Sequence, residues 1–208
     1  MNLDNIDIHD NNLHIEFVNR YPLGTLISTA DQETPFIIRI PFIPIKDDRD
    51  ELILVSHAAK TSIASLTDSI TQNVTCIFDG GHSYISPNWY ISQPAVPTWN
   101  YASLYMYGSI ELIKDRNKKL NSLIDSIAHF DKHLDITDEK LAYFDNLLDY
   151  IEVFLIRVSN SNMKVKVSQH RSIEDQRAIV KNIESSLTDD GTGYINMVTW
   201  LANRPANK

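Results

Sequence analysis

Short runs of β-branched and aromatic residues, separated by turn residues, fill the first half of this 208-residue chain and constrain its fold most. Such runs predict strands, because branched and aromatic side chains pack well on a pleated, half-buried surface. The predicted strands are residues 24–29, 35–45, 51–57, 73–79 and 101–113. Residues 30–34 predict a hairpin turn between the first two strands. Pro41 and Pro44 indicate that the second strand lies at an edge or carries a bulge.

The second half changes to helical spacing. Apolar residues between Asp115 and His133 recur with the period of an amphipathic helix, and Thr137 has the position of an N-cap for another helix. The remaining predicted elements are strands at residues 151–158 and 163–167, a helix that opens at Ser172, a helix within residues 193–204, a short helix at residues 58–66, and a turn at Gly80–Gly81.

Many short strands followed by helices favour a small β-barrel with helices on its outside, and a two-layer α+β sandwich is the alternative. In fold class this is an α+β, mainly β, arrangement. We predict a single domain over residues 1–208, with a helical insertion at about 115–150 and a C-terminal helical tail at about 172–208.

Charge and cysteine content narrow the range of functions. The formal net charge of −8 disfavours direct DNA binding by the chain alone, because DNA binders gather lysine and arginine to neutralise phosphates. A lone cysteine, Cys76, cannot form an internal disulfide. The acidic start lacks a signal-peptide pattern, and no apolar run approaches the ~20 residues that span a bilayer. We therefore expect a cytoplasmic protein that does not enter a membrane.

The usual catalytic and metal-binding motifs are absent from the sequence. His129 and His133 lie four residues apart on a predicted helix, but a zinc site needs three or four convergent ligands, so a solvated helix face is the better interpretation. We predict no metal site. The sequence also lacks a nucleophile elbow, a phosphate-binding Walker loop and a dinucleotide-binding fingerprint.

A dense aromatic window runs from Gly80 to Gly108 and contains GGHSYISPNWY, then VPTWNY, then YG. Its tryptophans and tyrosines alternate with polar residues, which suits a pocket for a flat ligand with polar edges. The competing interpretation is that these aromatic side chains only fill a core or a sheet face.

This window resembles that of the PaiB family of FMN-binding negative transcriptional regulators. The family carries G-P-H-A-Y-I-S-P-x-W-Y, then V-P-T-W-N-Y and a Y-G strand, and its C-terminal S-Q-N-R block is matched by SQHR at residues 168–171. The resemblance extends from about Tyr21 to Ile183. Gly81 stands where the family has proline, and Ser62–Ile63 replaces Asn-Pro in a block that is otherwise similar around His57 and Lys60.

The resemblance implies an FMN-binding split β-barrel with peripheral helices that forms a homodimer, with FMN in clefts between the subunits. By this resemblance, aromatic side chains would wall the flavin ring, hydroxyl and amide groups would bind its edge, and cations would bind its phosphate. The candidate cofactor-binding residues are His57, Lys60, His82, Ser86, Trp89, Tyr90, Trp99, Asn100, Gln169 and Arg171.

Three functions remain open on the sequence. The first is an FMN-binding regulator of PaiB type whose partner is DNA or another protein. The second is a flavin-dependent oxidoreductase of the pyridoxamine-oxidase-like type, for which no catalytic residue is assigned and only His57 and His82 are candidate acids or bases. The third is a dimeric module that has lost FMN. A haem-binding variant, with His82 or His170 as the axial ligand, ranks last.

Overall fold

The computed structural model describes residues 8–28, 34–66, 72–186 and 189–204, so the predicted turn at 30–34 lies outside it except for Thr34. Five helices occur in the described residues: α1 (Asn11–Arg20), α2 (Arg116–Phe130), α3 (Asp138–Leu147), α4 (Ile173–Ser186) and α5 (Asp189–Ala202). The strands are β1 (Leu23–Ser28), β2 (Phe36–Pro41), β3 (Ile43–Lys46), β4 (Leu52–Ala59), β5 (Gln72–Ile85), β6 (Thr98–Leu112) and β7 (Ile151–Lys166).

The seven strands form one sheet in the order β2-β1-β5-β6-β7-β4-β3. Strand β1 pairs antiparallel with β2 and β5, and β4 pairs antiparallel with β3 and β7. The predicted strand at 35–45 is in fact two strands, because the chain breaks at Phe42, whose ring is fully buried and whose N–H donates to the Pro22 carbonyl at 2.8 Å. The two strands lie at opposite edges of the sheet, which confirms the edge position that Pro41 and Pro44 indicated.

The short helix predicted at 58–66 occurs as two 3₁₀ helices, Lys60–Ser62 and Ala64–Leu66, which follow the end of β4 at Ala59. The turn predicted at Gly80–Gly81 was wrong, since β5 continues through both glycines. Helix α1 was not predicted, although it has an apolar face on which Leu13, Phe17 and Val18 are buried.

Helices α2, α3 and α4 begin where the sequence predicted, whereas α5 begins at Asp189, before the predicted start at Gly193. The Asp115 carboxylate accepts the Lys118 N–H at 2.8 Å at the start of α2, and the Thr137 hydroxyl accepts the Lys140 N–H at 3.4 Å at the start of α3. The Ser172 hydroxyl accepts the Asp175 N–H at 3.2 Å at the start of α4. Each of these side chains satisfies a backbone donor that the first helical turn leaves unpaired.

The chain divides into two compact units. The described residues of unit 1 are 8–14, 79–104, 162–186 and 189–204, and those of unit 2 are 15–28, 34–66, 72–78 and 105–161. Strands β5, β6 and β7 contribute residues to both. The single domain with a helical insertion and a helical tail stays a prediction.

Each unit has its own buried apolar side chains. In unit 2 the rings of Phe42 and Phe78 meet edge to face with centroids 5.6 Å apart, and Gly24 leaves room for them, since a Cβ there would lie 2.6 Å from the Phe78 ring. The core of unit 1 is formed by apolar residues of its strands and of both C-terminal helices: Ile85, Ala102, Leu104, Met163, Val167, Ile179, Ile183, Met197, Val198 and Leu201. No helix among the described residues is long and apolar enough to cross a membrane.

Candidate functional site

Unit 1 contains eight of the ten candidate residues, and they lie on two segments. The first runs from the end of β5 to the start of β6. There the Ser86 hydroxyl caps a 3₁₀ turn at Pro87–Trp89 by accepting the Asn88 N–H at 3.3 Å. This turn leaves Trp89 half-buried and turns Tyr90 inward, where its ring is buried. The second segment is the loop between β7 and α4, which carries Gln169 and Arg171.

A buried polar network joins the two segments. The Asn100 amide, with 0% exposure, donates to the Ser168 hydroxyl at 3.0 Å and to the Tyr194 hydroxyl at 3.0 Å. The Ser168 hydroxyl in turn lies 3.3 Å from the Asn100 carbonyl oxygen and 3.4 Å from the Tyr90 hydroxyl. Burial raises the pKa of Tyr194, so its hydroxyl stays protonated. The polar atoms of Asn100 are thus satisfied by protein groups, and the network fixes the loop that carries Arg171.

Arg171 is held mainly by an aromatic ring. Its guanidinium lies over the Tyr90 ring at 4.7 Å from the centroid, which is cation–π geometry. The Arg171 Nε is buried and has no hydrogen-bond partner among the described residues, and no described carboxylate lies within ion-pair distance of the guanidinium. An unpaired guanidinium fork fits a phosphate or carboxylate, which it can bind through two parallel N–H bonds.

Gln169 and Gln176 shape the loop around Arg171. The Gln169 side chain accepts the Val167 N–H and donates to the Val165 carbonyl, both at 2.9 Å, so its amide bonds its own segment. Gln176 donates to the Arg171 carbonyl at 2.9 Å. Ser168 adopts a φ of 59°, an uncommon left-handed conformation for a serine, which turns the chain sharply before Arg171.

An exposed aromatic group, the Trp99 cluster, consists of Trp99, Tyr84 and His82. The Trp99 side chain is 53% exposed and Tyr84 is 45% exposed, and the Tyr84 and His82 ring centroids each lie 6.0 Å from that of Trp99. The His82 Nε2 lies 4.0 Å from the Asp190 carboxylate. Exposed aromatic faces of this size are able to stack on a flat ligand.

The other two candidates, His57 and Lys60, belong to unit 2. His57 is a half-buried residue of β4, and burial lowers its pKa below the ordinary histidine value, which favours the neutral imidazole. The Lys60 Nζ lies 3.9 Å from the Glu152 carboxylate, which also binds the Lys119 Nζ at 2.5 Å. Lys60 therefore shares one carboxylate with a second lysine.

Sequence reasoning missed Asp175 and Tyr194. The Asp175 carboxylate is buried and accepts the backbone N–H groups of Ile91 and Ser92, more than eighty residues away in the chain. The only local signal was its place three residues after Ser172, which is the pattern of a helix cap. Among the described residues no group of three His, Cys, Asp or Glu side chains is arranged to hold a metal ion.

This chain is similar in sequence to known proteins. The model of a family described as "Putative FMN-binding domain" matches residues 5–160. The "Protease synthase and sporulation protein PAI 2" of Bacillus subtilis is 28% identical over 173 residues, which cover 81% of this chain and 82% of that protein.

Two solved structures share the fold. An FAD and haem binding protein from Mycobacterium smegmatis has a TM-score of 0.57 at 15% identity, over 82% of this chain and 78% of that chain. A protein from Bacteroides thetaiotaomicron described as a "putative 5-nitroimidazole antibiotic resistance protein" has a TM-score of 0.56 at 18% identity, over 76% of this chain and 85% of that chain. The predicted fold class, a split β-barrel with peripheral helices, is confirmed.

Proposed function

The chain belongs to the PaiB family of FMN-binding domains, and from this premise we propose that it binds FMN through unit 1 and works as a homodimeric negative regulator of transcription. FMN, when bound, supplies one- and two-electron transfer. The residues of this chain bind and orient it.

The unpaired Arg171 guanidinium carries the proposal. A buried Nε without a protein partner is costly, because a desolvated charged donor loses its bonds to water. The Tyr90 ring holds the guanidinium in place, and no described carboxylate competes for it. A phosphate group is the ligand that satisfies such a fork best. Arg171 is therefore assigned to the FMN phosphate.

The exposed aromatic side chains of unit 1 are assigned to the flavin ring. Trp99 and the half-buried Trp89 offer flat apolar faces, and Ser86 offers a hydroxyl at the ring edge. His82, beside Trp99, adds a ring nitrogen. Three candidates are assigned a supporting role without a direct flavin contact, because their polar groups bond other protein groups: Asn100, Tyr90 and Gln169. His57 and Lys60 stay predictions as cofactor-binding residues.

Exposed apolar side chains support the homodimer. In unit 1 the large apolar residues that face solvent include Ile91, Val96 and Trp99, each more than half exposed. Large apolar side chains that face solvent are available to a partner or a ligand. A second copy of the chain is the proposed cover.

The test is an FMN titration of flavin-free protein, followed by flavin fluorescence, with wild type, Arg171→Ala, Arg171→Lys and the exposed Arg177→Ala as matched control. Arg171→Ala is expected to weaken FMN binding about tenfold to a hundredfold, because a charge-assisted phosphate contact contributes roughly 1.5–3 kcal/mol. Arg171→Lys is expected to fall between, and Arg177→Ala to match wild type.

Riboflavin, which lacks the phosphate, separates the contact from a general loss of the site. Its affinity is expected to stay within about twofold in Arg171→Ala, because the ring contacts are unchanged. Equal weakening of FMN and riboflavin binding would contradict the assignment of Arg171 to the phosphate.

The same titration separates the alternative functions. A wild-type protein that binds neither flavin, and carries none when purified, would be the module that has lost FMN. Oxidation of NADPH by the flavin-loaded protein would favour the oxidoreductase instead.

A further inference from the structure

The Asp175 carboxylate ties two distant segments of unit 1 together. Its Oδ1 accepts the Ile91 N–H at 2.7 Å and the Ser92 N–H at 2.9 Å. The residue is 1% exposed, so these bonds form away from bulk water. Bonds from backbone N–H groups to an ionised carboxylate are shorter and roughly twice as strong as neutral ones. Burial alone would raise the pKa of Asp175, but the two N–H groups and nearby Arg171 lower it, so the carboxylate is ionised at neutral pH.

The start of α4 aims this carboxylate away from its own helix. Ser172 caps the helix by accepting the Asp175 N–H, which is half of a capping box. In a complete box the acidic side chain would return to the backbone N–H of the cap residue. Here it bonds Ile91 and Ser92 instead. The acidic group is therefore used to hold another segment and not to start the helix.

The segment that it holds has few other anchors. The Ile91 side chain is 67% exposed, and Ser92 is exposed as well. Directly before them, Tyr90 carries the Arg171 guanidinium on its ring. The Gln93 amide braces the same turn by donating to the Pro87 and Tyr90 carbonyls at 3.0 and 3.1 Å. Loss of the hydrogen bonds from Ile91 and Ser92 to Asp175 would thus free the chain directly after Tyr90, whose ring lies against Arg171.

Asp175 performs this role without capturing Arg171. Its Oδ2 is buried and has no hydrogen-bond partner among the described residues, and the Arg171 Nε is likewise unpartnered. A direct ion pair would have satisfied both atoms and occupied the guanidinium. The carboxylate is committed to backbone groups, so the arginine fork stays available.

We propose that Asp175 is a positioning residue for the flavin site: it anchors the segment from Tyr90 to Ser92, and this anchor holds the Tyr90 ring under Arg171 in the orientation that binds FMN. The proposal rests on the FMN site proposed above. It adds a residue that touches neither the flavin ring nor its phosphate.

The experiment compares wild type, Asp175→Asn, Asp175→Ala and the neighbouring exposed Glu174→Ala as control. Hydrogen exchange of the Ile91 and Ser92 amides is measured without flavin, and FMN affinity by fluorescence titration. Asp175→Ala is expected to expose both amides and weaken FMN binding about tenfold. Asp175→Asn keeps an acceptor but loses its charge, so both effects are expected to be intermediate, with FMN affinity about threefold weaker. Glu174→Ala is expected to match wild type.

The two readouts separate this proposal from the FMN site itself. If the wild type binds no FMN but the Ile91 and Ser92 amides exchange faster in the Asp175 variants, the anchor stands and the FMN site fails. If a folded Asp175→Ala exchanges like wild type or binds FMN equally well, the positioning role is overturned. If Asp175→Ala does not fold, the Asp175→Asn variant is used instead. The positioning role of Asp175 is then overturned if Asp175→Asn shows both wild-type exchange at the Ile91 and Ser92 amides and wild-type FMN affinity.

Discussion

The side-chain oxygen and nitrogen of Asn100 both have protein partners, and this property separates Asn100 from Arg171. The Asn100 amide donates to Ser168 and Tyr194 inside the core of unit 1, where an unmatched group would be costly. Arg171, by contrast, keeps a buried Nε without a partner. At the scale of single residues, the full set of partners gives Asn100 a structural role, and the missing partner of Arg171 supports its proposed binding role.

The Asn100 network gives a stability prediction. Asn100→Ala is expected to lower the free energy of unfolding by about 3 kcal/mol, because it strands the Tyr194 and Ser168 hydroxyls and leaves a small void. Tyr194→Phe removes one acceptor and is expected to cost about 1 kcal/mol. Tyr101→Phe serves as the control. Tyr101 is half-buried and its hydroxyl makes no hydrogen bond within the described residues, so the free energy of unfolding should change little. Chemical denaturation of the four proteins measures the order, and equal costs for all three variants would contradict it.

The sequence revealed the side chains of this site better than their roles. The aromatic window and Arg171 could be proposed from the sequence, because aromatic density and the SQHR block are local patterns. Asp175 was not found, because its partners Ile91 and Ser92 are brought to it only by the folded chain. Its local context, three residues after Ser172, points to an ordinary helix cap. A contact that joins distant segments leaves no local trace at either end.

At the scale of elements, β5 and α5 approach each other backbone to backbone. A Cβ added to Gly81 would lie 2.1 Å from the Gly193 carbonyl oxygen and 2.5 Å from the Tyr194 nitrogen. These are main-chain atoms of α5, which cannot move without shifting the helix. Gly81 stands where the family block has proline, and the region of α5 lies beyond residues 5–160 that the family model matches. This chain thus accommodates its last helix by having no side chain at residue 81.

The two glycines of this contact form a matched pair for a test. Gly81→Ala is expected to destabilise the protein by about 1–3 kcal/mol, because the new methyl group overlaps the backbone of α5. Gly193→Ala meets its nearest atom at 3.9 Å, an ordinary contact, and is expected to be neutral or to stabilise by up to about 1 kcal/mol, because alanine favours a helix. Thermal melting of both variants measures the difference. A Gly81→Ala protein as stable as Gly193→Ala would show that β5 and α5 are not in contact.

The elements also show where sequence patterns fail. The run at residues 35–45 was predicted as one strand because its β-branched residues continue through Phe42. Phe42 is buried against Phe78, and this tertiary contact divides the run into β2 and β3. Likewise Gly80–Gly81 has the composition of a turn, yet β5 passes through it because α5 needs a strand without a side chain there. Tertiary packing overrode local propensity in both places.

At the scale of the whole molecule, acidic residues outnumber basic ones, 27 to 19. Several of the cations are already bound within unit 2: Arg116 pairs with Asp145 and Asp149, Arg157 with Asp47 and Glu111, and Lys119 with Glu152. A protein that binds DNA through its own surface needs free cations to displace the counterions of the phosphates. A regulator with this charge distribution is expected to act through a protein partner that contacts the DNA.

The charge argument gives the last prediction. At about 50 mM salt, where electrostatic binding to DNA is strong, the flavin-loaded protein is expected to leave the fluorescence anisotropy of a labelled duplex unchanged up to micromolar concentrations. The reason is the net charge of −8, because a negatively charged protein surface is repelled by the DNA phosphates wherever no free basic patch faces them. A basic DNA-binding protein added to the same duplex is the positive control. Binding that appears at low salt and falls steeply as salt rises would contradict the prediction and would make this chain itself the DNA-contacting subunit.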